Sequence, residues 1–255
     1  MILAEATGWS AARVGTAAGE ALPDAARAVA EAMLARRLSR EPLAQILGNW
    51  PFYGRSFRVT RDTLTPRPDT ETLVDLALTA PFARVLDLGT GTGAIAVTLL
   101  AERPEATGVA GDISGAALAV AAGNAARHGV AARLDLRQAD WWDGIVGRFE
   151  LIVSNPPYVT EAEYAGLAPE ITEWEPRGAL TPGGDGLAAY RAIARGLAAH
   201  LAPGGRCLVE IGAGQGAAVA ALFQAAGLDG VTVHPDINGK ARVVSGAMRP
   251  GHACG

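Results

Sequence analysis

The sequence is short of cysteine, histidine, cationic excess and long apolar runs, and each shortage removes a class of function. Only two cysteines occur, Cys207 and Cys254. No disulfide framework or cysteine-rich metal site can be read from them. The four histidines, His128, His200, His234 and His252, are scattered without metal-ligand spacing, so no metal is expected. No Ser-His-Asp pattern is visible, although such triads are defined by geometry rather than chain order. The net charge is −4, which argues against a broad grip on nucleic acid, and no direct nucleic-acid binding is expected. No apolar run reaches membrane length, and the amino terminus lacks a basic region followed by a secretory apolar core. A soluble, cytoplasmic chain without membrane contact is expected.

The composition is that of a folded protein. The chain has 255 residues, of which 49% are hydrophobic and 19% charged. That permits one large domain with a small appendage. Residues 1–47 read as helical. Val29, Met33, Leu34 and Leu38 recur near a helical period, with Arg27, Glu31, Arg36, Arg37 and Arg40 between them. An amphipathic helix pair packed on the main domain explains this as well as a docking region does. Residues 48–62 change character. Aromatic and β-branched residues flank Gly54, which predicts a β-hairpin connector. Leu64 to Glu71 then forms a rigid corner, Thr65-Pro66-Arg67-Pro68-Asp69-Thr70-Glu71. Arg67 is held between two prolines, and Asp69 or Thr70 is expected to cap a helix through Leu78. A solvated Arg67 on a capping turn and an Arg67 in an active-site wall both fit this pattern.

From Ala83 the pattern becomes strand, glycine loop, helix, repeated. Strands are predicted at 84–88, 106–110, 133–137, 149–153, 206–211, 230–234 and 241–245, with helices between most of them. A short helix is predicted over 161–167, a helix over 187–201 should stop at Pro203-Gly204-Gly205, and 172–185 reads as a loop rich in Pro and Gly. The alternation predicts an α/β fold: a doubly wound, mainly parallel, seven-stranded sheet.

Two stretches carry chemistry. The first is Asp87-Leu88-Gly89-Thr90-Gly91-Thr92-Gly93. It follows a strand and opens a helix, where glycines let backbone N–H groups approach a ligand. Asp112 ends the next strand, where a carboxylate can accept from both ribose hydroxyls. Gly89-x-Gly91-x-x-Ala94 also satisfies the relaxed dinucleotide fingerprint, so hydride transfer stays open on this loop alone. A tight turn without a ligand is the bland alternative. Asp87 favours a third reading. A carboxylate there opposes a pyrophosphate and attracts a cation, which suits S-adenosyl-L-methionine, a sulfonium without phosphate. Asp140 and Trp141 end the third strand, where a carboxylate could take an adenine amine and an indole could cover the ring. A capping Asp and a half-buried Trp would look the same in sequence.

The second stretch is Phe149 to Tyr158. An apolar run stops at Ser154-Asn155-Pro156-Pro157-Tyr158. This reads as a buried parallel strand with Asn155 at its carboxyl end, where open α/β sheets bind ligands. The prolines fix the backbone beyond it, and Tyr158 supplies an aromatic wall. The pattern suits a socket for a planar amide or amine.

With these residues in place, the chain resembles the class I S-adenosylmethionine-dependent methyltransferases. More narrowly, it resembles the protein-(glutamine-N5) methyltransferases that modify peptide chain release factors. The family-specific markers are Arg40-Glu41-Pro42-Leu43-Ala44-Gln45-Ile46-Leu47-Gly48 and the Pro66-Arg67-Pro68 corner. The glycine motif is common to many methyltransferases, and Asn-Pro-Pro-Tyr is shared with DNA adenine-N6 enzymes. The resemblance implies a Rossmann-like methyltransferase sheet over 63–255, behind a small helical substrate-docking region at 1–47 and a hairpin linker at 48–62. Only 39 residues precede Arg40, fewer than in the family pattern. It implies methyl transfer from S-adenosyl-L-methionine, leaving S-adenosyl-L-homocysteine, to the glutamine of a Gly-Gly-Gln tripeptide in class-1 release factors. Translation termination is what this would modulate. Asn155 and the Pro156 carbonyl would accept from the glutamine NH2, with Pro157, Tyr158 and Arg67 shaping the pocket. Asp87, Gly89, Thr90, Gly91, Thr92, Gly93, Asp112, Asp140, Trp141 and Asn155 would hold the cofactor. A monomer is expected. The competing readings are a nucleic-acid adenine-N6 methyltransferase and a non-catalytic module that binds the cofactor or a protein.

Overall fold

The structure, a computed structural model, describes residues 1–250. The sequence readings at His252 and Cys254, and of the tail beyond 250, lie outside these residues. Four helices come first: α1 (Ile2–Thr7), α2 (Ala11–Thr16), α3 (Asp24–Leu38) and α4 (Leu43–Leu47). Next comes the hairpin of β1 (Asn49–Phe52) and β2 (Arg55–Arg58), paired antiparallel. Its turn places Tyr53 at φ 48° and Gly54 at φ 70°, the two positive φ values that a type I′ hairpin turn demands. The hairpin is no loose connector. Phe52 and Phe57 are buried and meet edge to face at 6.0 Å, within the same core as the first face of the main sheet.

A short 3₁₀ turn, Pro68–Thr70, leads into α5 (Glu71–Leu78). Neither Asp69 nor Thr70 caps this helix with its side chain, contrary to the sequence expectation. Both side chains are drawn into tertiary contacts instead, described below. Then follow β3 (Arg84–Leu88), α6 (Ala94–Glu102), β4 (Thr107–Asp112), α7 (Gly115–Arg127), β5 (Leu134–Gln138) and β6 (Phe149–Ser154). Three one-turn helices occupy the crossover: α8 (Glu161–Tyr164), inside the short helix expected over 161–167, then α9 (Pro169–Thr172), and α10 (Arg177–Leu180) inside the stretch read as loop. The chain continues with α11 (Ala188–His200), β7 (Leu201–Glu210), α12 (Gly216–Ala225), β8 (Leu228–Pro235) and β9 (Ala241–Met248).

The main sheet has seven strands in the order β5-β4-β3-β6-β7-β9-β8. Strands β3 to β7 are mutually parallel, and β9 runs antiparallel to both neighbours. Period-two alternation sends side chains to two cores. Val85, Leu151 and Val153 join α5 and α6 on one face. Leu86, Leu88 and Ile152 join α11 and α12 on the other. Strand β7 begins at Leu201, five residues before Arg206. Leu201 pairs with Phe149 and Arg206 with Leu151, so Pro203-Gly204-Gly205 forms an irregularity inside the strand. Gly205 is required there, because a Cβ would sit 2.9 Å from the Phe149 carbonyl.

The topological switch lies between β3 and β6. The chain leaves β3 toward β4 on one side, while β6 lies on the other. The crevice at their carboxyl ends is where this architecture binds ligands.

Candidate active site

The loop after β3 is shaped by three glycines with positive φ. Gly89 and Gly91 need that freedom for the turn, and a Cβ at either would meet nothing within 4 Å. Their faces are therefore open. Gly93 differs: its Cβ would lie 3.2 Å from Ala121, so it lets α6 approach α7. The loop is tied to the neighbouring strand. The Gly89 and Thr90 amides donate to the Gly111 carbonyl at 2.9 and 3.0 Å. Gly91 N–H donates to Asp112 Oδ2 at 2.8 Å, and Ser114 N–H to its Oδ1 at 2.9 Å. Asp112 is thereby held in one orientation at the end of β4, half-buried.

Asp87 lies beneath this loop, fully buried. Its Oδ2 accepts the Thr90 hydroxyl at 2.7 Å, and its Oδ1 has no partner. Burial pushes its carboxyl from the ordinary 3.8 up to about 7. The Thr90 hydroxyl and the Ala96 N–H oppose that shift, and the charge of Asp112 adds to it. An orphaned buried carboxylate oxygen under an open glycine loop is a site for positive charge.

A cavity of about 440 Å³ spans the crevice. Gly89, Thr90, Gly91, Thr92, Asp112, Asp140 and Trp141 line one part. Asp140 is exposed, and Trp141 sits at φ 55°. That backbone is unusual for a non-glycine residue and marks a constrained side chain. Its neighbour Trp142 supports it. The Trp142 indole donates to the Ala192 carbonyl at 2.8 Å and stacks on His200 at 4.7 Å.

Arg67, Thr70, Asn155 and Pro157 line the other part. Ser154, at the end of β6, donates its hydroxyl to the Leu88 carbonyl at 2.6 Å. One hydrogen bond thus ties the strand end bearing Asn155 to the strand end bearing the glycine loop. Asn155 Nδ2 donates to Thr70 Oγ1 at 3.1 Å. Arg67 donates to Glu175 Oε2 at 2.8 Å, and Thr65 N–H reaches Glu175 Oε1 at 3.4 Å. Glu175 is buried and comes from the crossover between β6 and α11.

Pro156 and Tyr158 stand apart from the cavity wall. Pro156 is buried, and among the described residues its carbonyl accepts no hydrogen bond. Tyr158 turns into the second core, where its hydroxyl donates to Glu210 Oε1 at 3.2 Å. Burial and the neighbouring Glu210 carboxylate push its phenol upward, so it stays protonated. Its place is behind the cavity, not in its wall. Among the described residues no group of three or more His, Cys, Asp or Glu side chains is arranged to hold a metal.

A glycine loop with open faces, a buried acid beneath it and an amide at the neighbouring strand end thus meet at the carboxyl edge of the sheet. Two family models match: "PrmC N-terminal domain" over residues 1–48 and "Methyltransferase small domain" over residues 68–188. A relative from Cereibacter sphaeroides, named release factor glutamine methyltransferase, is 60% identical over 247 residues, spanning 97% of this chain and 89% of that protein. The chain belongs to the release factor glutamine methyltransferase family. A relative of the same name from Burkholderia pseudomallei is 44% identical over 98% of this chain and 91% of that one. Among solved structures, a methyltransferase from Pyrococcus furiosus aligns with a TM-score of 0.60 over 86% of this chain and 99% of that one. At 16% identity that likeness shows the fold alone. Family membership sets aside the hydride-transfer, adenine-N6 and non-catalytic readings of the motifs.

Four residues of the site were not picked out as functional in sequence: Thr70, Ser154, Glu175 and Glu210. Thr70 passed as a cap. Glu175 could have been noticed as a carboxylate locked before Pro176 in a Pro-rich crossover. Glu210 could have been noticed as an acid inside an otherwise apolar strand, Arg206 to Ile211.

Proposed function

We propose that the chain transfers a methyl group from S-adenosyl-L-methionine to the side-chain amide nitrogen N5 of the glutamine in the Gly-Gly-Gln motif of class-1 peptide chain release factors. The observation that carries this reading is the orientation of Asn155. Its Nδ2 is taken by Thr70, which leaves Oδ1 to accept from a substrate N–H in the cavity. The acid beneath the glycine loop supports the choice of cofactor, since Asp87 Oδ1 has no partner within the protein.

When bound, S-adenosyl-L-methionine would supply an electrophilic methyl on its sulfonium; the carbon–sulfur electron pair would stay on sulfur as N5 takes the methyl, and the N5 proton would leave to solvent. The chain's own residues do the rest. Gly89, Thr90 and Gly91 offer backbone to the cofactor, with Thr92 and Gly93 setting the loop's shape. Asp112 takes the ribose hydroxyls, Asp140 and Trp141 take the adenine, and Asp87 attracts the positive charge from below. An amide nitrogen is a poor nucleophile because its lone pair is shared with the carbonyl. Asn155 Oδ1 and the Pro156 carbonyl, accepting from its two protons, orient it and favour sp³ character as the bond forms. Pro157 walls the socket, Tyr158 braces it from behind, and Arg67 with Glu175 fixes the rim. Residues 1–47 dock the protein substrate, 48–62 link, and the remainder is catalytic. The protein works in the cytoplasm, where release factors act.

Mass spectrometry of a release factor incubated with enzyme and cofactor tests this. The Gly-Gly-Gln peptide should gain one methyl group and a Gln→Ala control none. Asn155→Ala should keep most cofactor binding and lose transfer by about a hundredfold or more. Unchanged turnover would remove Asn155 from the reaction.

A further inference from the structure

We infer that Arg242, on the antiparallel strand β9, is a positioning residue for Asn155: through Asp69 it fixes the turn whose Thr70 hydroxyl holds the Asn155 amide. The inference rests on the proposed methylation for its kinetic consequences, while the placement itself can be read without a substrate.

The topology brings Arg242 to the site. Strand β9 runs against β7, pairing Val243 with Glu210, so its first residues stand at the carboxyl edge of the parallel strands. Ile211 N–H donates to the Arg242 carbonyl at 2.8 Å, which extends that register by one step. The Arg242 side chain is only 11% exposed. A guanidinium so shielded from water needs acids close by. It has two on one nitrogen: Nη2 lies 2.9 Å from Asp69 Oδ2 and 3.4 Å from Asp236 Oδ2. The two acids are not equivalent. Asp236 is buried, and its other oxygen accepts the amides of Asn238 and Lys240 at 2.8 and 3.0 Å. Those bonds lock Asp236 into the turn between β8 and β9, and Arg242 is locked with it. Asp69 is 43% exposed and belongs to the turn before α5. The hairpin of β8 and β9 is thus the fixed post, and the turn is moored to it.

What is moored there bears on the proposed reaction. Thr70 follows Asp69, is buried, and accepts Asn155 Nδ2 at 3.1 Å. The flanking side chains are tied elsewhere. Arg67 donates to Glu175 of the crossover at 2.8 Å, and Glu71 accepts the Tyr53 N–H of the first hairpin at 2.7 Å. Each side chain of the corner therefore reaches a different part of the fold, and Asp69 supplies its tie to the far edge of the main sheet. With Asp69 released, Thr70 can drift, and Asn155 drifts with it. Small displacements of a group that orients a nucleophile are enough to slow a reaction that depends on near-attack geometry.

General bracing of the fold is the alternative, and the side-chain amide signal of Asn155 separates the two. In ¹⁵N-labelled full-length protein it is identified by its absence in Asn155→Ala. Thr70→Val, which removes the accepting hydroxyl, should shift it, and Asp69→Ala should shift it in the same direction. With a release factor as substrate, Asp69→Ala should lower kcat about tenfold or more. It should leave KM and the affinity for S-adenosyl-L-methionine within about twofold. Asp69→Glu keeps the carboxylate and should recover most of the loss. Arg242→Met should lose as much as Asp69→Ala, and the double variant should lose little more than either single one. Arg242→Met strands the buried Asp236. If its thermal transition shows that it does not fold, Asp69→Ala carries the test, because there Arg242 keeps Asp236 as its partner. A folded Asp69→Ala chain with an unmoved Asn155 signal would overturn the assignment, whatever its kcat. Failure of the wild-type chain to methylate the release factor, with the amide signal shifting as expected, would overturn the proposed function and leave the placement of Asn155 standing.

Discussion

Asp87 does its work without touching the cavity. It is sealed beneath the loop, and its charge is costly until a cation lies above it. Cofactor binding should therefore depend on its ionisation. Affinity for S-adenosyl-L-methionine should fall as pH drops below about 7, and Asp87→Asn should weaken binding at pH 8 by about tenfold or more. Titration calorimetry at pH 8 and pH 5.5 measures both, and a dissociation constant indifferent to pH and to the substitution would deny the charge a role. Asp87, the glycines and Asn155 were legible in the sequence because each sits at a strand end in a spaced motif. Thr70 and Glu175 were not, because their roles come from partners 85 and 108 residues away. Tyr158 was read as a wall because aromatic residues in motifs usually face ligands. Its hydroxyl found a buried carboxylate instead.

At the scale of elements, α11 sets the cofactor end of the crevice. Gly196 faces the Trp142 indole so closely that a Cβ there would overlap the ring. The indole therefore packs directly on the helix backbone, next in the chain to Trp141 with its positive φ. Gly196→Ala should cost about 1–3 kcal/mol by overpacking. It should also weaken cofactor binding, since Trp141 moves with its neighbour. Urea unfolding and calorimetry on one preparation would show both, and loss of stability with unchanged affinity would uncouple the two tryptophans. The elements themselves were largely legible. Apolar runs closed by Gly, Pro or Asp gave all seven strands of the sheet, and Tyr53-Gly54 with its aromatic flanks gave the hairpin. The early start of β7 was hidden, because Pro203-Gly204-Gly205 signals a stop locally while Phe149 offers Leu201 a pairing partner. The helices α9 and α10 were hidden too, whereas α8 fell within the short helix expected over 161–167. Four residues are too few for a hydrophobic period.

Across the whole molecule, the crossover holds the parts together. Gln45 of α4 donates to the Trp174 carbonyl at 2.9 Å, and Arg40 reaches Glu170 at 3.4 Å. Glu175, next in the chain, holds Arg67. The amino-terminal helices and the cavity rim are thus joined through one segment. Stability carries a second global signature. Asp87 and Glu210 both hold a proton more tightly in the folded chain than in the unfolded one. Between about pH 4 and pH 7 the folded state binds more protons, so these groups make stability fall as pH rises, by at most about 1.4 kcal/mol per pH unit each. Above about pH 7 their effect levels off. Asp87→Asn should therefore be more stable than the wild-type chain at pH 8 without cofactor, and no more stable at pH 4. Equal unfolding midpoints at pH 8 would show that the buried charge costs nothing.

The hold on Asn155 has a consequence for modularity. Its amide is tied to Thr70 on the turn before α5, and its strand end is tied through Ser154 to the end of β3, so no one stretch of chain contains the whole arrangement. The Asn-Pro-Pro-Tyr peptide is therefore not a cassette. Transplanted to another strand end, it would bring an amide whose two faces are interchangeable. Only the closed sheet tells them apart.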